Sequence, residues 1–336
     1  MKAFTYSSVL IKPQYSEIES RSKVLTTTHL GDLILDLPVI SANMKTVTGP
    51  TMVKAMFENG GLGILHRFCS IEENVKMFNE CCIENKIPVE RVGISVGIRD
   101  EEYGRFVALI NSGAQLICVD VAHGHHSRVK KMIQYINKYK KNNKFIRIVA
   151  GNVATPEAVY DLKCWGADIV KVGIGPGSAC ITRRNTGVGI PQLFALKTIR
   201  EKHPKIPLIA DGGIRTVGDI AKALKYSECV MIGAVLAGTI ETPGKVYPND
   251  NENLVNRTFY KIYGGSASAE NKGENRFVEG KIQMIPFKGH VKYILKEIKE
   301  GLQSSFSYVG AKDLSEFQKK AKFIELDDSS RDESET

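Results

Sequence analysis

With 336 residues the chain is long enough for about two average domains or for one barrel of about 250 residues with additions, and 43% hydrophobic with 25% charged residues excludes a disordered, collagen-like or heptad-built protein. Lysine plus arginine number 46 against 37 acids, a net +9, yet the one dense basic run, 138–144 (KYKKNNK), carries no aromatic besides Tyr139, so small anionic ligands explain the excess better than nucleic acid. The seven cysteines show no paired C-x-x-C spacing, which suggests neither a disulfide framework nor a zinc ribbon, and the longest nearly uncharged apolar run, 230–240, is shorter than the roughly 18 residues of a spanning helix; a soluble, unexported, cytoplasmic protein is expected.

In chain order, β-branched runs fall at 38–42 (PVISA), 61–65 (GLGIL), 92–98 (VGISVGI), 115–120 (QLICVD), 146–152 (IRIVAGN), 168–174 (DIVKVGI), 206–213 (IPLIADGG) and 229–235 (CVMIGAV). Helix-length amphipathic stretches separate them at 71–84, 101–112, 126–140, 155–164, 190–202 and 216–226; Ser70 with Glu73 can cap the first, and Thr155 before Pro156 opens the 155–164 helix. Eight strands alternating with helices predict an α/β protein of the (β/α)₈ TIM barrel type, with an open doubly wound sheet as the competing arrangement. After the eighth strand, 240–287 forms an excursion read as a short active-site flap, 288–301 reads as the closing helix, and the acidic 327–336 as a disordered tail, leaving 1–326 as a single catalytic domain.

In such a barrel the chemistry sits where the strands end, and there the unusual residues gather: SANMKT (41–46), HRF (66–68), DVAHGHH (120–126), GNV (151–153), GIGPGSACITRRNTGVG (173–189), DGGIRT (211–216) and GAVLAGT (233–239). Glycines after strands seven and eight let backbone N–H groups approach a phosphate, the alternative being tight turns alone, and Asp211 either receives ribose hydroxyls or caps a turn. The loop 173–183 presents Cys180 with Thr182 two residues on; its amide dipoles and Arg183 and Arg184 favour a thiolate at Cys180, while the other six cysteines read as packing residues. His123, His125 and His126 lack a supporting carboxylate or cysteine cluster for zinc and read as a polar loop, with Asp120 toward a cofactor amide. GIGPGS is not a dinucleotide fingerprint, since no acidic residue stands at the required offset.

Together SANM, AGNV, GIGPGSACITR, DGGIRT, GAVLAG, YGGSAS and VEGK…FKG resemble the inosine monophosphate dehydrogenase and guanosine monophosphate reductase family over about residues 4–325. The resemblance implies a purine-nucleotide-binding barrel that assembles as a homotetramer and attacks purine C2 with Cys180. The dehydrogenase branch resolves the thioimidate by hydrolysis, using an Arg-Tyr pair on a long flap, and mostly carries a regulatory insert. Here no insert precedes strand two, the 263–279 excursion is short and its Arg-aromatic pair is Arg276-Phe277, without the hydroxyl; the motif GGLGILHR (60–67) alone is closer to dehydrogenase style. The features therefore point to NADPH-dependent deamination of GMP to IMP, with Cys180, Thr182 and Glu279 as catalytic residues. The implied substrate contacts are Ser178, Asp211, Gly212, Gly213, Gly233, Ala234, Gly264, Gly265, Ser266, Arg276 and Gly280. For the cofactor they are Arg67, Asp120, Ala122, Ile174 and Gly175, with Ser20, Arg21, Ser304 and Ser307 serving a neighbouring subunit's cofactor, and a potassium ion on the carbonyls of Gly175, Gly177 and Cys180. The competing functions are an insert-free IMP dehydrogenase, a flavin-binding barrel and a non-catalytic purine-nucleotide-binding barrel.

Overall fold

The computed structural model describes residues 3–249, 258–265 and 280–327. Eight parallel strands, β1 (Val39–Ser41), β2 (Leu62–Leu65), β3 (Val92–Val96), β4 (Leu116–Asp120), β5 (Arg147–Val153), β6 (Ile169–Val172), β7 (Leu208–Asp211) and β8 (Cys229–Ile232), pair in sequence and close because β8 also pairs with β1. The open-sheet alternative is thereby excluded.

Alternation along the strands sorts side chains into two cores. Ile40, Leu62, Ile64, Leu116, Cys118, Val149, Ile169, Ile209, Cys229 and Met231 fill the barrel, and the opposite strand faces meet the helices. An antiparallel hairpin, Thr28–Leu30 with Leu33–Leu35, adds Leu30, Leu33 and Leu35 to the inner core. It closes the N-terminal end: Thr28 Oγ1 donates to Glu228 O at 2.7 Å just before β8, and Asp32 pairs with Arg147 at the start of β5 at 2.5 Å. With that end plugged, the C-terminal mouth is left for ligands.

The helices α1 (Pro50–Glu58), α2 (Ile71–Asn79), α3 (Asp100–Asn111), α4 (Ser127–Lys140), α5 (Pro156–Trp165), α6 (Gln192–Lys202), α7 (Val217–Leu224) and α8 (Val291–Tyr308) surround the barrel. Ser70 accepts from Glu73 N at 3.1 Å and Thr155 from Ala158 N at 3.3 Å, so both expected N-caps form. Among the boundaries that differ from the sequence reading, three have a clear structural cause. Helix α2, expected to run to 84, gives way at Glu80 to a wider turn in which Asn85 N bonds Glu80 O at 3.0 Å. The eighth strand ends at Ile232 because Leu236 and Ala237 N–H turn back to Gly233 O at 3.1 and 2.8 Å. The closing helix passes Gly301, continuing its apolar stripe through Leu302 and Phe306. Gly301 is a close-packing position, since a Cβ there would stand 2.6 Å from Val217 Cγ1 on α7, and not a stop signal.

Within the 240–287 excursion, β9 (Tyr247–Pro248), β10 (Phe259–Gly264) and β11 (Ile282–Pro286) form an antiparallel sheet, Tyr263 opposite Gln283. Its base lies on the Cys loop: Gly280 bridges Cys180, Lys281 N donates to Ala179 O at 2.9 Å, and Thr46 Oγ1 accepts from Gly264 N at 3.0 Å. Of the expected tail, residues 328–336 lie outside the described residues. No helix among the described residues is long and apolar enough to cross a membrane.

Candidate active site

The mouth holds two adjoining chambers. The first, about 200 Å³, is walled by the loops after β6, β7 and β8 and by Tyr263 of the flap. The second, about 390 Å³, is lined by Asn43, Arg67, Phe68, Arg99, Asp120 and Lys171 and shares Ala42, Met44, Ala122, Asn152, Asp211 and Met231 with the first. Two ligands can therefore meet over one set of residues.

Cys180 and Thr182 both line the first chamber, and Cys180 Sγ–H donates to Thr182 Oγ1 at 3.1 Å. The loop is shaped locally: Cys180 N donates to Gly177 O at 3.0 Å, and Arg183 Nη2 donates to Ile174 O at 3.4 Å and Ile190 O at 2.5 Å. Gly212 and Gly213 follow β7 with φ of +91° and +81°, a left-handed pair that only glycine adopts without strain. Gly233 faces them, where a Cβ would meet Tyr263 Oη at 3.0 Å. Two glycine loops and a hydroxyl thus form an anion cradle.

Of the residues expected to bind substrate, Ser178, Asp211, Gly212, Gly213, Gly233, Ala234, Gly265 and Gly280 line the first chamber, and Gly264 holds Thr46 beside it. Ser266, Arg276 and Glu279 lie outside the described residues. Of the cofactor residues, Arg67, Asp120 and Ala122 line the second chamber, whereas Ile174 and Gly175 line the first. Ser20, Arg21, Ser304 and Ser307 line neither; they collect where α8 meets the N-terminal segment, with Arg21 over the Tyr308 ring at 5.4 Å and Ser307 Oγ donating to Ser304 O at 2.7 Å.

The floor between the chambers is ionic. Lys171, 2% exposed in the middle of β6, lies 2.8 Å from Asp120 Oδ1 and 2.7 Å from Asp211 Oδ2 and bonds Asn152 Oδ1; Asn152 Nδ2 in turn donates to Asp211 Oδ2 at 2.8 Å. Burial alone pulls the Lys171 ammonium down, but Asp120 and then Asp211 outweigh it and raise it; burial pushes Asp120 up, and Lys171 reverses that shift to leave it below the usual carboxylate range. Both charges persist at neutral pH. Asp211 is therefore not a simple turn cap.

The sequence reading missed Lys171, Asn43, Met44 and Tyr263. A lysine inside an otherwise apolar barrel strand was the available signal, since a charge buried there requires partners. Tyr263, 4% exposed, is pushed up to about 12 chiefly by burial, so its hydroxyl stays a donor at the anion cradle. Cys164 is exposed, contrary to a packing role, because it sits on the outer side of α5. His125 Nε2 pairs with Asp161 at 2.8 Å, and His126 Nδ1 accepts from Arg128 N at 3.0 Å to cap α4.

A family described as the IMP dehydrogenase / GMP reductase domain matches residues 3–336. The GMP reductase of Streptococcus equi subsp. equi is 43% identical over 317 residues, covering 94% of this chain and 92% of that protein. Those of an Acidovorax strain and of Mycoplasma mycoides subsp. mycoides are each 41% identical, covering 95% and 94% of this chain and 95% of either relative. Among solved structures, a cysteine-to-alanine variant of GMP reductase from Trypanosoma brucei in complex with guanosine 5'-monophosphate superposes with a TM-score of 0.90 at 29% identity, covering 99% of this chain and 97% of that one.

Proposed function

The chain belongs to the IMP dehydrogenase / GMP reductase family and is an enzyme of the GMP reductase type, and from that premise we propose that it converts GMP and NADPH to IMP, NADP and ammonia. The observation that carries this reading is the pair Cys180–Thr182, 3.1 Å apart, in the chamber that holds the anion cradle and that adjoins a second chamber through Ala42, Met44, Ala122, Asn152, Asp211 and Met231. We read residues 1–326 as one catalytic unit, assembling as a cytoplasmic homotetramer, with Ser20, Arg21, Ser304 and Ser307 toward a neighbour's cofactor.

GMP is placed with its phosphate on Ser178, Gly212, Gly213, Gly233, Ala234, Gly264, Gly265, Ser266 and the Tyr263 hydroxyl, its ribose on Asp211, and its base toward Arg276, Glu279 and Gly280. The Cys180 thiolate adds to purine C2. Loss of the C2 amine as ammonia needs a proton on nitrogen, which Thr182 relays and Glu279 supplies; the C2–N bond then breaks and a thioimidate remains on Cys180. NADPH supplies a hydride at C2 when bound. The C2–S bond breaks, the thiolate is recovered, and the balance is GMP + NADPH + H⁺ giving IMP + NADP⁺ + NH₃.

The second chamber suits the cofactor in chemistry. Arg67 Nε is buried there without a partner among the described residues, and Asp120 offers carboxylate oxygens beside it. Glu102 holds Arg67 in place at 3.8 Å and is itself fixed by Gly97 N at 2.5 Å and Arg105 at 3.3 Å. The Cys loop offers potassium an all-oxygen donor set, the carbonyls of Gly175, Gly177 and Cys180; Gly177 O spends one lone pair on Cys180 N and retains another. Occupied, that set would fix the loop that aims Cys180.

An insert-free IMP dehydrogenase is the second reading, favoured by GGLGILHR and its Arg67. The test is reduced-nicotinamide absorbance with GMP and NADPH, then with IMP and NAD. Oxidation of NADPH only when GMP is present supports the proposal, and xanthosine monophosphate from IMP and NAD would replace it. A flavin spectrum in the purified protein would instead favour a flavin barrel, and GMP binding without turnover a nucleotide sensor.

A further inference from the structure

Behind the Cys180 loop lies a third cavity of about 210 Å³, between the N-terminal segment, the start of α6 and the loop after β7. Among the described residues five buried side-chain nitrogen or oxygen atoms have no hydrogen-bond partner, and three belong to residues that line this one cavity: Tyr6 Oη, Arg183 Nε and Gln192 Oε1. Tyr6 and Gln192 are 4% and 3% exposed. Buried polar groups are almost always paired, so three such atoms around one cavity can share one occupant.

The three atoms define what that partner must offer. Gln192 Nε2 donates to Val172 O at 2.7 Å and Asp211 O at 3.2 Å, which fixes the amide and leaves Oε1 as an acceptor. Arg183 Nε–H only donates, and the Tyr6 hydroxyl does either. A metal cation would oppose the Arg183 N–H, and an anion without a proton would oppose Gln192 Oε1. The charges lining the cavity are Arg183 and the exposed Arg215 against Asp219, whose Oδ2 is already engaged by the N–H groups of Arg215 at 2.9 Å and Thr216 at 3.1 Å. The remaining excess is positive. An anion that carries a proton would meet all three groups and this charge.

We propose that this cavity is a second oxyanion site, separate from the substrate phosphate cradle, that takes inorganic phosphate in its hydrogen-bearing form. Phosphate oxygens accept from Arg183 and Arg215, and the remaining P–O–H donates to Gln192 Oε1. Inorganic phosphate keeps a proton throughout the neutral range, whereas a phosphate monoester loses its second near pH 6 and sulfate has none. Pro176 and Gly213 line both this cavity and the Cys180 chamber, so a bound phosphate braces the wall on which the substrate rests.

The test is equilibrium dialysis of the full chain with labelled inorganic phosphate at pH 7.5, with and without saturating GMP. The expected result is one phosphate per chain retained in the presence of GMP, with sulfate and methyl phosphate at least tenfold weaker. Tyr6→Phe, which keeps the ring, and Arg215→Met, at an exposed position, should each weaken phosphate at least fivefold while GMP affinity stays within twofold. Loss of all phosphate binding under GMP, equal binding of sulfate, or an unchanged Tyr6→Phe variant would each overturn the site. Should GMP itself fail to bind, the Tyr6→Phe comparison still reads this cavity, so its result is independent of the proposed reaction.

Discussion

Lys171 Nζ stands 2.7 Å from Asp211 Oδ2, and because the same ammonium holds Asp120 at 2.8 Å, one buried lysine joins the proposed ribose-binding carboxylate to the carboxylate of the second chamber. Lys171→Met leaves two carboxylates facing each other without their cation. The expected cost is about 3–5 kcal/mol in urea unfolding, the usual penalty for breaking a buried pair from one side. The Lys171→Met/Asp120→Asn double variant should recover part of that loss. An additive double variant would show that the two groups do not act as a unit.

Cys180→Ala should abolish turnover while GMP affinity stays within about tenfold, or about 1.4 kcal/mol, because the anion cradle and Asp211 are untouched. Cys118→Ala is the control. Cys118 is buried in the barrel core, burial first and Asp120 second push its thiol up, and it lines neither chamber, so its loss should affect stability before rate.

Much of this architecture was legible because periodicity and loop chemistry agree. All eight barrel strands fall within the β-branched runs to within a residue or two, and the proposed phosphate cradle announces itself by consecutive glycines at Gly212 and Gly213 whose φ no other residue shares comfortably. The errors have physical causes. The closing helix, expected over 288–301, runs on to Tyr308, and the missing side chain of Gly301 serves the approach of α7, a tertiary fact that a local reading does not contain. Lys171 was passed over inside an apolar strand because a two-residue period shows that it shares a face with Ile169 but not that the face is a barrel interior facing two aspartates. Tyr263 reached the cradle only through the flap's antiparallel pairing, which follows from register and not from composition.

Glu279→Gln keeps size and one hydrogen-bonding face but removes the titratable proton. Ammonia release from GMP should fall by about 10² or more, the ordinary scale of acid–base catalysis, while a burst of reduced cofactor from IMP and NADP survives. Ammonia release at the wild-type rate would make Glu279 a structural residue of the flap and move the proton source elsewhere.

His66, buried at the end of β2, accepts from Phe68 N at 3.2 Å and is lowered to about 4, first by burial and then by Lys45 and Arg105. Because its folded value lies below the ordinary 6.5, the unfolded chain takes up the proton first, so stability is full above about pH 6.5 and is lost as pH falls toward 4. Between pH 7 and pH 5 this one group should withdraw roughly 2 kcal/mol. His66→Asn, which retains an acceptor for Phe68 N, should flatten that part of the pH profile of denaturant unfolding; an unchanged slope would assign it to other groups.

The reaction itself is tested most directly by the mass and isotope content of its product. Purified protein is given GMP and NADPH deuterated at the transferable position, and nucleotide product and ammonia are quantified together. The account predicts IMP with one deuterium at C2 and one ammonia per NADPH consumed, and no such product from the Cys180→Ala variant. Xanthosine monophosphate formed from IMP and NAD, with no deuterated IMP from GMP, would contradict it and place this chain in the dehydrogenase branch.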